Sequence, residues 1–183
     1  MLPSFTSRLV LRDFTPDDAP FMLGLVNEPA YVRFIADRGI RTTEDAAAYL
    51  RAGPMASYAE HGFGLWHVSL RGTGDAIGKC GLLKRDWLPD PDLGFAFLEQ
   101  HWRQGYAREA AAATLEYAHT TLGLRRILAT THPENDSSMG LLRKLGFTAL
   151  GAVTAPGYNE PARLFAADLP AAQLATPAPP LPG

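Results

Sequence analysis

A mixed β-sheet covered by helices on both faces is the fold class the sequence predicts, and three observations predict it. Segments rich in β-branched and aromatic residues alternate with helical patterns through the middle of the chain, hairpin-like pairs of such segments flank them, and one glycine-bearing turn joins a strand to an alanine-rich helix. With 183 residues, of which 46% are hydrophobic and 20% charged, the chain can bury one proper core, so residues 1–169 are read as a single domain.

The elements follow in order. Arg8 to Phe14 reads as a strand; Thr15-Pro16-Asp17-Asp18 then supplies an N-cap, a proline for the first helical position and early acids, opening a helix through Phe21, Leu25 and Val26. Thr43 begins a second helical stretch with Ala46 to Ala48, Tyr49, Leu50 and Met55 as its apolar set, before Gly62 and Gly64 interrupt the pattern. Leu65 to Leu70 and Ile77 to Lys84 flank the turn Arg71-Gly72-Thr73-Gly74-Asp75 as a hairpin. After the break at Pro89-Asp90-Pro91, Asp92 to Leu98 is a strand, and the helix through Leu115 and Tyr117 comes directly after its turn. Arg126 to Thr131 is β-rich, Asn135 caps a helix through Leu141, Leu142 and Leu145, and Gly146 ends it. Phe147 to Val153 and Arg163 to Leu169 supply the last strands, and the Ala/Pro-rich tail 170–183 has no periodicity and reads as flexible.

Composition excludes several function classes. A net charge of −2 gives no global basic excess, which argues against a dedicated nucleic-acid binder. Cys80, the one cysteine, has no internal disulfide partner, the first residues lack a signal-peptide pattern, and no apolar run approaches the roughly 20 residues that span a bilayer. The expectation is a cytoplasmic protein without a membrane or nucleic-acid partner. His61, His67, His101, His119 and His132 show no paired ligand spacing, so no metal is expected.

The run His101-Trp102-Arg103-Gln104-Gly105-Tyr106-Ala107-Arg108-Glu109-Ala110 carries the most chemistry. The first N–H groups of a helix have no partner inside it and carry the positive end of its dipole, so a phosphate can rest there on main chain. Gly105 lets that backbone come close to an anion, although a glycine before a helix also serves purely conformational ends.

Three pieces stand in a fixed order: Asp92-Leu93-Gly94-Phe95, then Trp102 to Ala110, then Asn135-Asp136-Ser137-Ser138 running on to Lys144-Leu145-Gly146-Phe147. Together they resemble the GNAT superfamily of acyl-CoA N-acyltransferases, and specifically its RimJ/RimL-like branch, over roughly Ser7 to Leu169. The resemblance implies an α/β (α+β) domain with a mixed, mostly antiparallel central sheet flanked by helices on both faces. It implies acetyl-CoA as co-substrate, an amine acceptor that is a protein N-terminus or a small molecule, and direct transfer in a ternary complex. It also implies that Arg103, Gln104, Gly105, Tyr106, Ala107 and Arg108 hold the CoA pyrophosphate, with Asn135 nearby, and that backbone at Phe97 and Leu98 pairs with the pantetheine arm and offers an N–H to the oxyanion. By the same resemblance Asp92 is the base that takes the amine proton, directly or through water, and Ser138 is the hydroxyl at the departing thiolate.

Trp102 in place of the superfamily's usual Gln or Arg fits the RimJ/RimL branch, whereas Arg103 stands where that branch often has glycine, and Leu142 stands where many relatives carry an acidic tyrosine. Each site residue also has a plain structural reading: Asp92 as a charged strand end, Ser138 and Asn135 as capping residues, Arg103 and Arg108 as solvated surface, Phe97 and Leu98 as core. Cys80 is expected to be an inert buried thiol. Trp66, Trp87 and Tyr158 are candidates for the acceptor cleft or for core and rim, and the cleft is expected near Tyr31 to Arg41 and Gly151 to Pro161. An α-amine loses about 1 kcal/mol to deprotonation at pH 7 and a lysine about 4.6, so an N-terminal amine needs less help. The competing class is a non-catalytic acyl-CoA-binding protein, and the final strand and the Pro-rich tail either join a homodimer or hang in solvent.

Overall fold

The computed structural model describes residues 4–156 and 160–169. The tail 170–183 and Tyr158 lie outside the described residues. Eight strands form one sheet: β1 (Ser4–Phe5), β2 (Leu9–Arg12), β3 (Leu65–Leu70), β4 (Ala76–Leu83), β5 (Asp92–Phe97), β6 (Arg126–Thr131), β7 (Thr148–Val153) and β8 (Ala162–Asp168). Their order is β1-β2-β3-β4-β5-β6-β8-β7, and every neighbouring pair is antiparallel except β5 and β6. The mixed, mostly antiparallel sheet matches the expected fold class.

The helices are α1 (Ala19–Val26), α2 (Pro29–Phe34), α3 (Thr43–Leu50), α4 (Ala56–His61), α5 (Tyr106–Thr120) and α6 (Asp136–Lys144). Thr42 and Asp45 cap α3 reciprocally, each side chain accepting the other's backbone N–H at 3.1 and 3.0 Å, so the chain enters that helix with its first donors satisfied. The long helix expected from Thr43 is instead broken by a single wide turn over Arg51–Met55, because Pro54 cannot donate to the helical ladder, and α4 ends on Gly62 at φ 74°. The short helix α2 was not expected from the sequence.

Helices cover both faces. On one, α5 lays Ala110, Ala111, Leu115 and Ala118 against Leu9, Leu11, Val68, Ile77, Leu82 and Ile127 of the strands, with Met139 and Leu142 of α6 in the same core. The small side chains of α5 let its backbone approach the sheet closely. On the other face Met22 and Leu25 of α1, Tyr31 of α2 and Ala46 and Leu50 of α3 form a second core, on which Ala96 and Leu98 pack. Side chains alternate along β5, so Leu93, Phe95 and Phe97 turn to α5 while Ala96 and Leu98 turn to the α1–α3 face.

Candidate active site

The site begins where β5 and β6 part. They share one parallel register pair, Asp92 with Leu128, next to the bond from the Leu128 N–H to the Pro91 carbonyl at 2.9 Å. Beyond it the strands splay. The Leu98 N–H donates to the Ile77 carbonyl at 3.0 Å, which sets the β4 ladder so that Leu98, Ala96 and Gly94 bond to β4. The alternation of an antiparallel ladder then turns the backbone groups of Phe95 and Phe97 away from β4 and into the opening. Trp102 Nε1 caps the Phe97 carbonyl at 2.7 Å, leaving the Phe97 N–H and both Phe95 groups facing the gap. Leu98 is therefore corrected as a backbone donor: its N–H belongs to the sheet.

A cleft of about 630 Å³ runs through this opening. It is lined by Arg103, Gly105, Tyr106, Ala107 and Arg108 of the turn and the start of α5, by Asn135, Asp136, Ser137, Ser138 and Lys144 in and before α6, and by Leu25, Glu28, Ala30, Tyr31, Phe34 and Ile35 in and around α1 and α2. The first N–H bonded inside α5 is that of Glu109, to the Gly105 carbonyl at 3.0 Å. The N–H groups of Tyr106, Ala107 and Arg108 precede it at the positive end of the helix dipole, with the cations of Arg103, Arg108 and Lys144 lining the same cleft. That donor set fits a pyrophosphate.

The turn owes its path to two left-handed residues, Gly105 at φ 83° and Arg103 at φ 58°. Gln104 between them faces away from the cleft, its amide donating to the Gln100 carbonyl at 3.1 Å and its carbonyl accepting from Arg8 at 3.0 Å. Arg8 also grips Glu109 in the first turn of α5 at 2.6 Å and lies over the Tyr106 ring at 4.7 Å. Thr6 and Ser7 hydroxyls and the Arg8 N–H donate to the same carboxylate. Burial alone would raise the Glu109 carboxyl, but those donors outweigh it and hold it below the usual carboxylate range. A negative charge beside an anion site is thereby tied back to the first strands.

Asn135 accepts the Ser138 N–H at 3.0 Å and fixes the start of α6, so Ser137 and Ser138 stand on the cleft wall. Leu142 is buried in the core, so no hydroxyl reaches the cleft from that position.

Asp92 does not reach the cleft. It sits at the closed apex, 1% exposed, with both carboxylate oxygens taking Arg85 Nε at 2.9 and 3.0 Å. Burial pushes its carboxyl up while Arg85 pulls it back, the rise prevailing. As the base at the reacting amine Asp92 is corrected: burial and the Arg85 pair hold it at the apex, outside the cleft lining. The acid on the α1–α2 side of the cleft lining is Glu28, which accepts the Glu99 N–H at 3.0 Å. Burial first, then the neighbouring Glu99, raises its carboxyl above the usual range, against the pull of that N–H and of His101. The sequence signal for it was Pro29 at the first position of α2, which makes Glu28 the residue at the helix mouth.

The remaining candidates fall outside the cleft. Trp66 is core, edge-on to Tyr117 at 5.5 Å, and Trp87 packs with Leu88 and Leu128 under the Arg85 guanidinium. Cys80 is buried against Thr114, and burial drives its thiol up to about 12. Among the described residues no group of three or more His, Cys, Asp or Glu could hold a metal, and no helix is long and apolar enough to cross a membrane.

Comparison with known proteins gives the family and the fold. Residues 8–148 match the family model described as an acetyltransferase (GNAT) domain. The uncharacterized N-acetyltransferase YnaD of Bacillus subtilis (strain 168) is 31% identical over 146 residues, covering 80% of this chain and 82% of that protein. An acetyltransferase structure from Agrobacterium tumefaciens str. C58 superposes with a TM-score of 0.79 at 24% identity, covering 92% of this chain and 95% of that one. RimL, a ribosomal L7/L12 alpha-N-protein acetyltransferase solved in complex with coenzyme A, shares the fold with a TM-score of 0.78 at 15% identity, covering 91% and 97%. Acetyltransferases of this family use acetyl-CoA as co-substrate. The chain thus belongs to the GNAT family and is an acyl-CoA-dependent N-acetyltransferase.

Proposed function

We propose that the chain transfers an acetyl group from acetyl-CoA to a primary amine by direct attack in a ternary complex, with the co-substrate threaded through the opening between β5 and β6. The observation that carries this reading is the splay itself, which leaves the Phe97 N–H and both main-chain groups of Phe95 facing the gap beside a helix mouth that fits a pyrophosphate. The pyrophosphate takes the N–H groups of Tyr106, Ala107 and Arg108, with Arg103, Arg108 and Lys144 adding charge. The pantetheine arm pairs with β5 as an added strand, which brings the thioester near the Phe97 N–H.

The acceptor enters from the α1–α2 wall. Its neutral amine attacks the carbonyl carbon, a C–N bond forms, and the developing oxyanion accepts the Phe97 N–H. The C–S bond then breaks and the Ser138 hydroxyl hydrogen-bonds the departing thiolate. Glu28 takes the amine proton through a bridging water, and its raised carboxyl suits a base working near neutral pH better than an exposed acid does. The acceptor is a protein N-terminal amine or a small amine.

The test is a CoA-release assay against N-terminal peptides and small amines, with mass identification of the product. CoA release with matching N-acetyl product is the expected result. Calorimetry showing no acetyl-CoA binding to the folded protein would overturn the reading.

A further inference from the structure

One cation of this chain lies fully inside the acceptor side of the molecule. Lys79 of β4, opposite Ala96 of β5 in register, is 3% exposed, and its ammonium donates to the Tyr31 hydroxyl at 3.0 Å and the Tyr49 hydroxyl at 3.4 Å, with Met22 Sδ at 3.9 Å. Its Nζ also stands 4.9 and 5.3 Å from the centroids of the same two rings. The three N–H donors therefore meet two phenols and a thioether rather than a carboxylate. Burial would lower the ammonium, but the two phenols outweigh it and hold it above its ordinary value, and against its own burial Tyr49 is held below its ordinary value by Lys79 and Arg38. Among the described residues no carboxylate forms an ion pair with it, and the groups that act on its charge are the two phenols. Arg38 adds further positive charge next to Tyr49.

A buried ammonium is ordinarily matched by an anion, because neutral acceptors satisfy its hydrogen bonds without cancelling its charge. Tyr31 is the member of this cluster that forms cleft wall. Its oxygen accepts from Lys79, so what it offers to a neighbour is a hydroxyl proton polarised by the ammonium, for which Tyr49 competes. We infer that this end of the cleft takes an anionic group of the acceptor, and that the amine acetylated here belongs to a molecule that also carries a carboxylate. The carboxylate docks on the Tyr31 hydroxyl in front of Lys79 and supplies the missing negative charge. This rests on the reading that the α1–α2 wall receives the acceptor.

The experiment compares kcat/KM for matched acceptor pairs: α-amino acids against their carboxamides, ω-amino acids against the corresponding alkylamines, and peptides whose second residue is acidic against neutral ones. Wild type is expected to favour the carboxylate member by about tenfold or more, mainly through KM. In Lys79→Met, whose side chain keeps the length and joins Met22, the two members of each pair converge; Tyr31→Phe narrows the gap. The free amino acid and peptide arms separate the two sources of the carboxylate. A second measurement does not depend on turnover: an N-blocked amino acid, which cannot be acetylated, inhibits wild type competitively against the amine and loses that inhibition in Lys79→Met.

Equal kcat/KM within every pair overturns the inference, as does a preference that survives in Lys79→Met. So does a phenolate absorbance at neutral pH that disappears in Tyr49→Phe, since the counter-ion is then internal. If acetyl-CoA binds but no amine of either kind is acetylated, the acceptor reading itself fails and takes this inference with it.

Discussion

Gly105 and Arg103 share a left-handed backbone, and only one of them is suited to it. A side chain at positive φ costs about 1–2 kcal/mol, which glycine avoids. Arg103→Gly is therefore expected to raise stability by about 1 kcal/mol while weakening acetyl-CoA binding through the lost charge. Opposite signs in thermal unfolding and calorimetry would show that the arginine is kept for the ligand; a loss of stability would refute the strain argument. Glu28 and Asp92 separate in the same way. With Glu28 as the proposed base, Glu28→Gln is expected to lower kcat and remove the acidic limb of its pH profile. Asp92→Asn leaves the partly solvated Arg85 beside a neutral amide and should cost about 1 kcal/mol of stability without moving that limb. A pH profile that shifts with Asp92→Asn and not with Glu28→Gln would reverse the two assignments.

At the scale of elements, what was legible followed the strength of the local signal. The turn at Gly105 and α5 were read from a glycine before a run of good helix formers, and α6 from Asn135, whose cap bond to Ser138 is formed. Helix α2 was missed because six residues give under two turns of periodicity, and with it went Glu28 at its mouth. The break between α3 and α4 followed from Pro54, whose effect depends on how the helix is packed. The Arg8–Glu109 tie joins residues 101 apart, which no local pattern reveals. Its consequence is testable. Glu109→Gln keeps the shape and removes the charge that orients Arg8, so the phosphate turn loosens: the KM for acetyl-CoA should rise several-fold with kcat less affected, and unchanged kinetics would confine the tie to stability.

For the whole molecule, the alternation of strands and helices announced a mixed sheet, but not the splay that makes it a site. Phe95 to Leu98 reads as an ordinary buried strand, because the difference lies in which neighbour its backbone has, and β6 is set by the crossover through α5. The balance of the two cores also governs acid stability, through His67. That ring is wedged between Phe14 and Phe21 at centroid distances of 5.5 and 5.3 Å, and its Nδ1 has no hydrogen-bond partner among the described residues. Burial first, then the Arg12 cation, push it from 6.5 down to about 4, although Asp18 lies 3.8 Å from Nε2 and pulls the other way. The unfolded chain thus binds this proton below 6.5 while the fold refuses it until about 4, so stability present above 6.5 is lost as pH falls through that window, by roughly 3 kcal/mol in all. Asp18 acts lower. Burial raises its carboxyl, but Arg12, the Thr15 N–H and His67 together hold it below 3.8, so its contribution is present above 3.8 and fades only beneath it. Urea unfolding at a series of pH values should show a falling free energy between 6.5 and 4 in the wild type, and His67→Phe should flatten that limb while leaving the loss below it. Parallel slopes in the two proteins would mean that another group carries the transition.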